Sequence, residues 1–180
     1  MDFKVNSSDL LKAISHIHGV VEIRHTLPIL SNMIITVKDG SLKLCSTNLD
    51  IYCSDQVSAE VVSPGEISVS ASTFYEIVKR LPNGSDLHAT LDEVSSSLIL
   101  KCGRSKFNLT TMKTDDFPMI ADSDLDTKFV LSATELIRMI DKTKFAISNE
   151  ETRYYLNGIF FHKAQKNSIE ILRAVATDGH

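Results

Sequence analysis

Apolar residues at Leu10, Leu11, Ile14, Ile17 and Val21 recur every three or four positions, the spacing of a helix that buries one face. Ser7 or Ser8, just ahead of this stripe, is placed to cap it. From Ile23 to Val62 the pattern changes to runs rich in β-branched residues. Asp39-Gly40 between two of those runs predicts a hairpin, because both residue types accept left-handed turn geometry. A second amphipathic helix is predicted within Ser70 to Gly84, with Phe74, Ile77, Val78 and Leu81 inward and Pro82 to Gly84 ending it. Further strands are predicted over Asp86–Asp92, Ser96–Lys101 and Ser105–Thr111, the last two joined by Cys102-Gly103-Arg104. Residues Asp115 to Lys128 are acidic and turn-rich and read as a linker.

Beyond the linker the pattern starts again. Phe3 to Ile14 (FKVNSSDLLKAI) aligns without a gap on Phe129 to Ile140 (FVLSATELIRMI), an offset of 126 residues. Leu10 falls on Leu136, Leu11 on Ile137 and Ile14 on Ile140. The same offset carries Leu30–Ile35 onto Leu156–Phe161; a four-residue insertion in the hairpin then shifts it to 130, placing Thr47-Asn48-Leu49 on Thr177-Asp178-Gly179. Two units built on one pattern account for this. Each is expected to be α+β, with two helices packed on antiparallel sheet. Residues 1–125 form the first, complete unit, whereas 126–180 hold only the N-terminal part of the second, so the sequence reads as a fragment of a longer repeat protein.

Composition narrows the chemistry. At 180 residues and 43% hydrophobic, the chain can bury a core without a metal or disulfide staple. Its three cysteines form no CxxC pair, and Cys45 and Cys102 sit in strand-like apolar runs, which suits reduced thiols used for packing. No secretory signal and no long apolar run are visible, so a cytoplasmic location without a membrane span is expected. No phosphate-cradling GxxxxGK[ST], GxSxG or GxGxxG motif is present. His16 and His18 are two residues apart and cannot share one helix face as metal ligands. Asp178 and His180 could form an acid–base pair, but strand alternation gives that spacing and no third group accompanies them. No enzyme, cofactor or metal is expected.

The net charge of −4 counts against electrostatic nucleic-acid binding until the positions are considered. Opposite the first helix's apolar stripe lie Lys12 and His16; at the offset of 126 these become Arg138 and Lys142. The second helix adds Lys79 and Arg80. An ordinary solvated face would explain one helix; matching cations within a repeat also suit contact with a phosphate backbone, without sequence readout. Arg24, in the loop after the first helix, fits the same role. Tyr154 and Tyr155 stand side by side where a strand is expected to begin, so at most one is in the core and the other is free for a ligand.

Taken together, HTLPILSNMIITVKDGSLKLCSTNLD, KRLPNG, GRSKFNLTTMKTDDFP, RYYLNGIFF and VATDGH resemble the bacterial DNA polymerase III beta subunit family, the sliding clamps. The resemblance runs in order over the whole chain. It implies the DNA-clamp fold, with three similar domains per subunit and a head-to-tail homodimer ring whose helices surround double-stranded DNA. It implies a processivity factor that tethers the polymerase. Carried over by motif, Arg24, Lys79, Arg80, Arg138, Lys142, Asn149, Tyr154 and Tyr155 would face the DNA. Arg153, Leu156, Thr177, Gly179 and His180 would belong to a cleft for the DNA polymerase III alpha subunit, the clamp loader and other clamp-binding peptides. Ser72 and Thr73 depart from the family, where basic residues are frequent. The competing reading is a generic α+β repeat module for protein–protein contact.

Overall fold

The computed structural model describes residues 1–21, 27–115, 117–118 and 130–180. The chain forms two compact units, Met1–Ala121 and Asp122–His180.

In the first unit, β1 (Asp2–Asn6) leads directly into α1 (Ser7–His18). The cap is Asn6, not Ser7 or Ser8. Its side chain accepts the Ser8 amide at 3.0 Å, while its own backbone stays extended. The two serines serve another end: Ser7 Oγ donates to the Pro82 carbonyl at 2.8 Å, and Ser8 Oγ accepts the Gly84 amide at 2.8 Å. Leu10, Ile14 and Ile17 of α1 are fully buried, as the stripe requires. Each such side chain contributes roughly 1.5–3 kcal/mol.

β2 (Asn32–Lys38) and β3 (Ser41–Thr47) form the expected hairpin, with φ of 50° at Asp39 and 72° at Gly40. β4 (Tyr52–Ser58), β5 (Glu60–Ser63) and β6 (Gly65–Ser70) follow. Ser70 caps α2 (Ala71–Lys79), whose Phe74 and Val78 are buried, with Leu81 just beyond. β7 (Asp86–Asp92), β8 (Ser97–Cys102) and β9 (Ser105–Met112) complete the unit.

All strand pairs are antiparallel, in the order β4-β3-β2-β6-β9-β8-β7-β1-β5. The pairing of β6 with β9 is short, Ser68 with Met112 and Val69 with Thr111, so the sheet falls into two halves. The two outermost strands, β4 and β5, are separated in the chain by Ala59 alone. One extended segment therefore leaves one half and joins the other. Alternate residues from both halves meet α1 and α2 in one core: Phe3 and Val5, Met33 and Ile35, Leu42 and Leu44, Leu87 and Ala89, Leu98 and Leu100.

On the opposite sheet face Ile34 and Cys45 bury Phe117, so part of the stretch read as linker is packed. Most of that stretch lies outside the described residues. All three cysteines are free; Cys45 and Cys102 are buried, and burial pushes the Cys45 thiol up from its ordinary pKa.

In the second unit α3 (Ala133–Thr143) is capped by Ser132, whose side chain accepts the Glu135 amide. Ser132 is the counterpart of Asn6 at the offset of 126. β10 (Phe160–Lys166) and β11 (Ile169–Val175) pair about a two-residue turn at Asn167 and Ser168, with φ of 50° and 63°. The register tests the repeat residue by residue. Ile34 opposite Cys45 becomes Phe160 opposite Val175, and Val37 opposite Leu42 becomes Lys163 opposite Leu172, at offsets of 126 and 130. The four inserted residues are thus shared equally between the strands, two on each. Because side chains alternate with period two, that division keeps every residue on its face.

α3 has no buried residue: Leu136 is 38% exposed where its counterpart Leu10 is 0%. Truncating these two equivalent leucines should therefore have unequal effects. Leu10→Ala should cost the first unit ~2–5 kcal/mol in denaturant unfolding. Leu136→Ala should cost the second less than ~1 kcal/mol. Equal losses would contradict the burial difference.

Candidate functional site

The candidate cations lie on three helices. Docking the Leu10–Ile17 stripe inward leaves Lys12 and His16 exposed on α1. His16 Nδ1 lies 2.6 Å from Asp55 Oδ2 on β4. That hydrogen bond holds the Asp55 carboxyl below its ordinary pKa. His18 stacks on Tyr75 of α2 at 4.5 Å between centroids, and Lys79 Nζ sits 5.3 Å over the same ring. Glu76 partly offsets the α2 cations, 3.0 Å from Arg80 and 4.0 Å from Lys79. On α3, Arg138 and Lys142 are exposed, and among the described residues neither has an ion pair; the neighbouring Asp141 is taken by Lys144 at 2.7 Å. Arg24 lies outside the described residues. Ser72 and Thr73 add no charge at the start of α2, where Thr73 instead completes the Ser70 cap.

The two tyrosines depart from expectation. Glu151–Leu156 is 3-10 helical with a kink at Arg153, not the start of a strand, and Tyr154 and Tyr155 are both exposed, at 78% and 71%. Neither enters a core. The Ser148 amide donates to the Leu156 carbonyl at 3.1 Å, closing a loop that includes exposed Asn149. Pairing begins only at Phe160. The rings contact each other edge to face at 5.9 Å and present two aromatic surfaces to solvent.

The remaining candidates converge. Arg153, held 3.2 Å from Glu150, extends Nη1 to the Asp178 carbonyl at 3.5 Å. Gly179 has φ of 90°; a Cβ there would lie 3.1 Å from Arg153 Nη1 and 3.7 Å from Leu156 Cδ1. The absent side chain thus lets the turn approach both residues. Thr177 Oγ1 accepts the Gly179 amide at 3.0 Å, and Asp178 Oδ1 accepts the His180 amide at 3.1 Å. His180 is exposed.

The same turn occurs in the first unit. Thr47 Oγ1 accepts the Leu49 amide at 3.1 Å, Asn48 Oδ1 accepts the Asp50 amide at 3.2 Å, and Leu49 has φ of 80°. An Asn does there what Asp178 does here, so the carboxylate acts as a turn acceptor and not as an acid–base group. Sequence alignment paired the two segments, but nothing in either showed the shared hydrogen bonds. Among the described residues no group of His, Cys, Asp and Glu is disposed to hold a metal.

Substitution separates the two roles of Asp178. Asp178→Asn should leave the backbone amide resonances of residues 177–180 nearly unchanged, because the amide oxygen accepts the same hydrogen. Asp178→Ala should shift them. Displacement by both variants alike would defeat the assignment.

Comparison with known proteins adds the family. Residues 1–121 match the model for the DNA polymerase III beta subunit, N-terminal domain, and residues 130–180 match that for its central domain. A beta sliding clamp of Caulobacter vibrioides (strain NA1000 / CB15N) is 43% identical over 180 residues, covering 100% of this chain and 48% of the relative. That of Escherichia coli (strain K12) is 35% identical over 181 residues, with the same two coverages. Among solved structures, a Caulobacter crescentus beta sliding clamp superposes with TM-score 0.94 at 43% identity, covering 100% of this chain and 48% of that one. A Bartonella birtlesii sliding clamp bound to griselimycin gives 0.92 at 40% identity, with the same coverages. The chain spans about half the length of the curated relatives it matches.

Proposed function

The chain belongs to the DNA polymerase III beta subunit family, and from that membership we propose that it serves as part of a DNA replication processivity clamp. In this reading residues 1–125 are one clamp domain and 126–180 begin the next. The whole protein closes as a homodimer ring around double-stranded DNA in the cytoplasm. It is non-catalytic: it tethers the DNA polymerase III alpha subunit and is placed by the clamp loader.

The observation that carries the reading is the repeated outward pair of cation-capable side chains, Lys12 and His16 on α1 and Arg138 and Lys142 on α3, opposite matching apolar positions. Lys79 and Arg80 extend it, as do Arg24, Asn149, Tyr154 and Tyr155 by family resemblance. Such a surface, with no element built to read base edges, suits phosphates. Few cations are needed where topology retains the duplex, which reconciles the role with a net charge of −4. Arg153, Leu156, Thr177, Gly179 and His180 form the wall of a cleft for partner peptides: Leu156 gives apolar surface and Gly179 admits a ligand backbone.

Two measurements test this. Binding of linear duplex, followed by fluorescence anisotropy, should be weak, indifferent to sequence and steeply salt-dependent. Arg138→Ala should lessen the slope by ~0.9 for the phosphate contact removed. A strong preference for one duplex sequence at fixed salt would defeat the DNA reading and favour a protein-contact module.

In the full-length protein, Leu156→Asp should abolish calorimetric binding of a polymerase-derived clamp-binding peptide while the ring still assembles. Unchanged binding would remove this surface from the mechanism.

A further inference from the structure

We propose that His16 is a phosphate contact on the DNA-facing helix surface, switched on by protonation and aimed by Asp55. The inference rests on the DNA reading above. His16 projects from the outward face of α1 one turn beyond Lys12, and its side chain is 56% exposed. Its Nδ1 is fixed 2.6 Å from Asp55 Oδ2 on β4, a strand packed against α1. An ionised carboxylate only accepts hydrogen bonds, so Nδ1 carries a hydrogen. What changes is Nε2. In the neutral ring it bears a lone pair and repels a phosphate oxygen; in the imidazolium it bears a hydrogen and donates. Charge moves the same way, because the His16–Asp55 pair goes from −1 to zero. Protonation thus adds a donor and removes a repulsion at one place.

The surroundings leave that role to this pair. Among the described residues, Asp9 and Lys12 of α1 line the same cavity as His16, and β4 contributes Asp55, with Cys53 donating to the His16 carbonyl at 3.8 Å. β3 turns Leu42, Leu44 and Ser46 toward α1, while Lys43, opposite Thr36 and Gln56, faces the other way. α2 directs Tyr75 at His18, with Lys79 over the Tyr75 ring. The repeat supplies a parallel: at the offset of 126, His16 becomes Lys142, a permanent cation at the corresponding place. A control is built in. His88 Nε2 lies 2.7 Å from Asp2 Oδ1 with the same pairing chemistry. That pair stands on the sheet face turned away from the helices, since Phe3, Val5, Leu87 and Ala89 occupy the inner one.

The experiment is duplex binding by this chain at about pH 5.5 and about pH 8, either side of the ordinary imidazole midpoint near 6.5. Affinity is followed against salt for the wild type, His16→Gln, His16→Arg and His88→Gln. One added phosphate contact steepens the salt slope by ~0.9, about a further 3-fold loss of affinity between about 50 and 200 mM salt. The wild type and His88→Gln should show that increment at the lower pH, and His16→Gln should lack it. His16→Arg should show it at both pH values, a gain that damage to folding would not produce. Every other histidine is common to the wild type, His16→Gln and His16→Arg, so differences among these three report position 16. If His16→Gln keeps the full pH response, or His16→Arg gains nothing at the higher pH, this inference is overturned while the DNA reading stands. If no duplex binds under any condition, the His16 inference falls, while the DNA reading, which rests on the closed ring, stands.

Discussion

The structure depends on the docking of one apolar stripe. Leu10, Ile14 and Ile17 are fully buried between α1 and two half-sheets, and no other helix has so many wholly enclosed side chains among the described residues. Turning that face inward commits the residues on the opposite side of the helix, Lys12 and His16, to the outside. Packing, not local charge, therefore decides which face carries cations. The same contact fixes α1 against β4, which brings Asp55 to His16 and gives an exposed histidine a defined orientation. Asn6 makes the arrangement sharp by ending β1 and starting α1 within one residue, and Ser7 and Ser8 then bind the loop that follows α2.

The repeat shows how such a unit tolerates change. Adding four residues to a hairpin could have thrown its faces out of phase. Here two go to each strand, the turn keeps a pair of left-handed residues, and the alternation survives. Downstream the same turn recurs with different residues at its left-handed position. Leu49 bears the strain of φ 80° in the first unit. Gly179 occupies the place in the second, where Arg153 and Leu156 come within reach of the backbone. The fold needs only the turn, while the close approach needs the glycine.

Much of this was legible in the sequence because it rests on short-range rules. Helical stripes, the Asp39-Gly40 hairpin, the later strands and the offset between units all follow from spacing. Four features did not. The sequence points to Ser7 or Ser8 as the cap of α1, because either can accept an amide, but tertiary contacts draw both serines away and leave the role to Asn6. The change of sheet at Ala59 carries no local signal, since an extended residue looks the same in either half. The tyrosines were placed near a strand because Leu156 onward is apolar, but the Ser148 amide closes a loop on the Leu156 carbonyl first and leaves both rings outside. The partnership of His16 with Asp55 was equally hidden: the residues are far apart in the chain and meet only because α1 packs on β4.

The central claim is that outward helix faces, and not the sheets, meet duplex DNA. A competing basic surface exists on the far side of the first unit, where Lys101 and Lys106 stand opposite each other on β8 and β9. Backbone and side-chain NMR perturbations on adding a short duplex distinguish the two most directly. The account expects shifts at Lys12, His16, Lys79, Arg80, Arg138 and Lys142, with Lys101 and Lys106 unmoved. Perturbation centred on Lys101 and Lys106, with the helix residues unchanged, would contradict it.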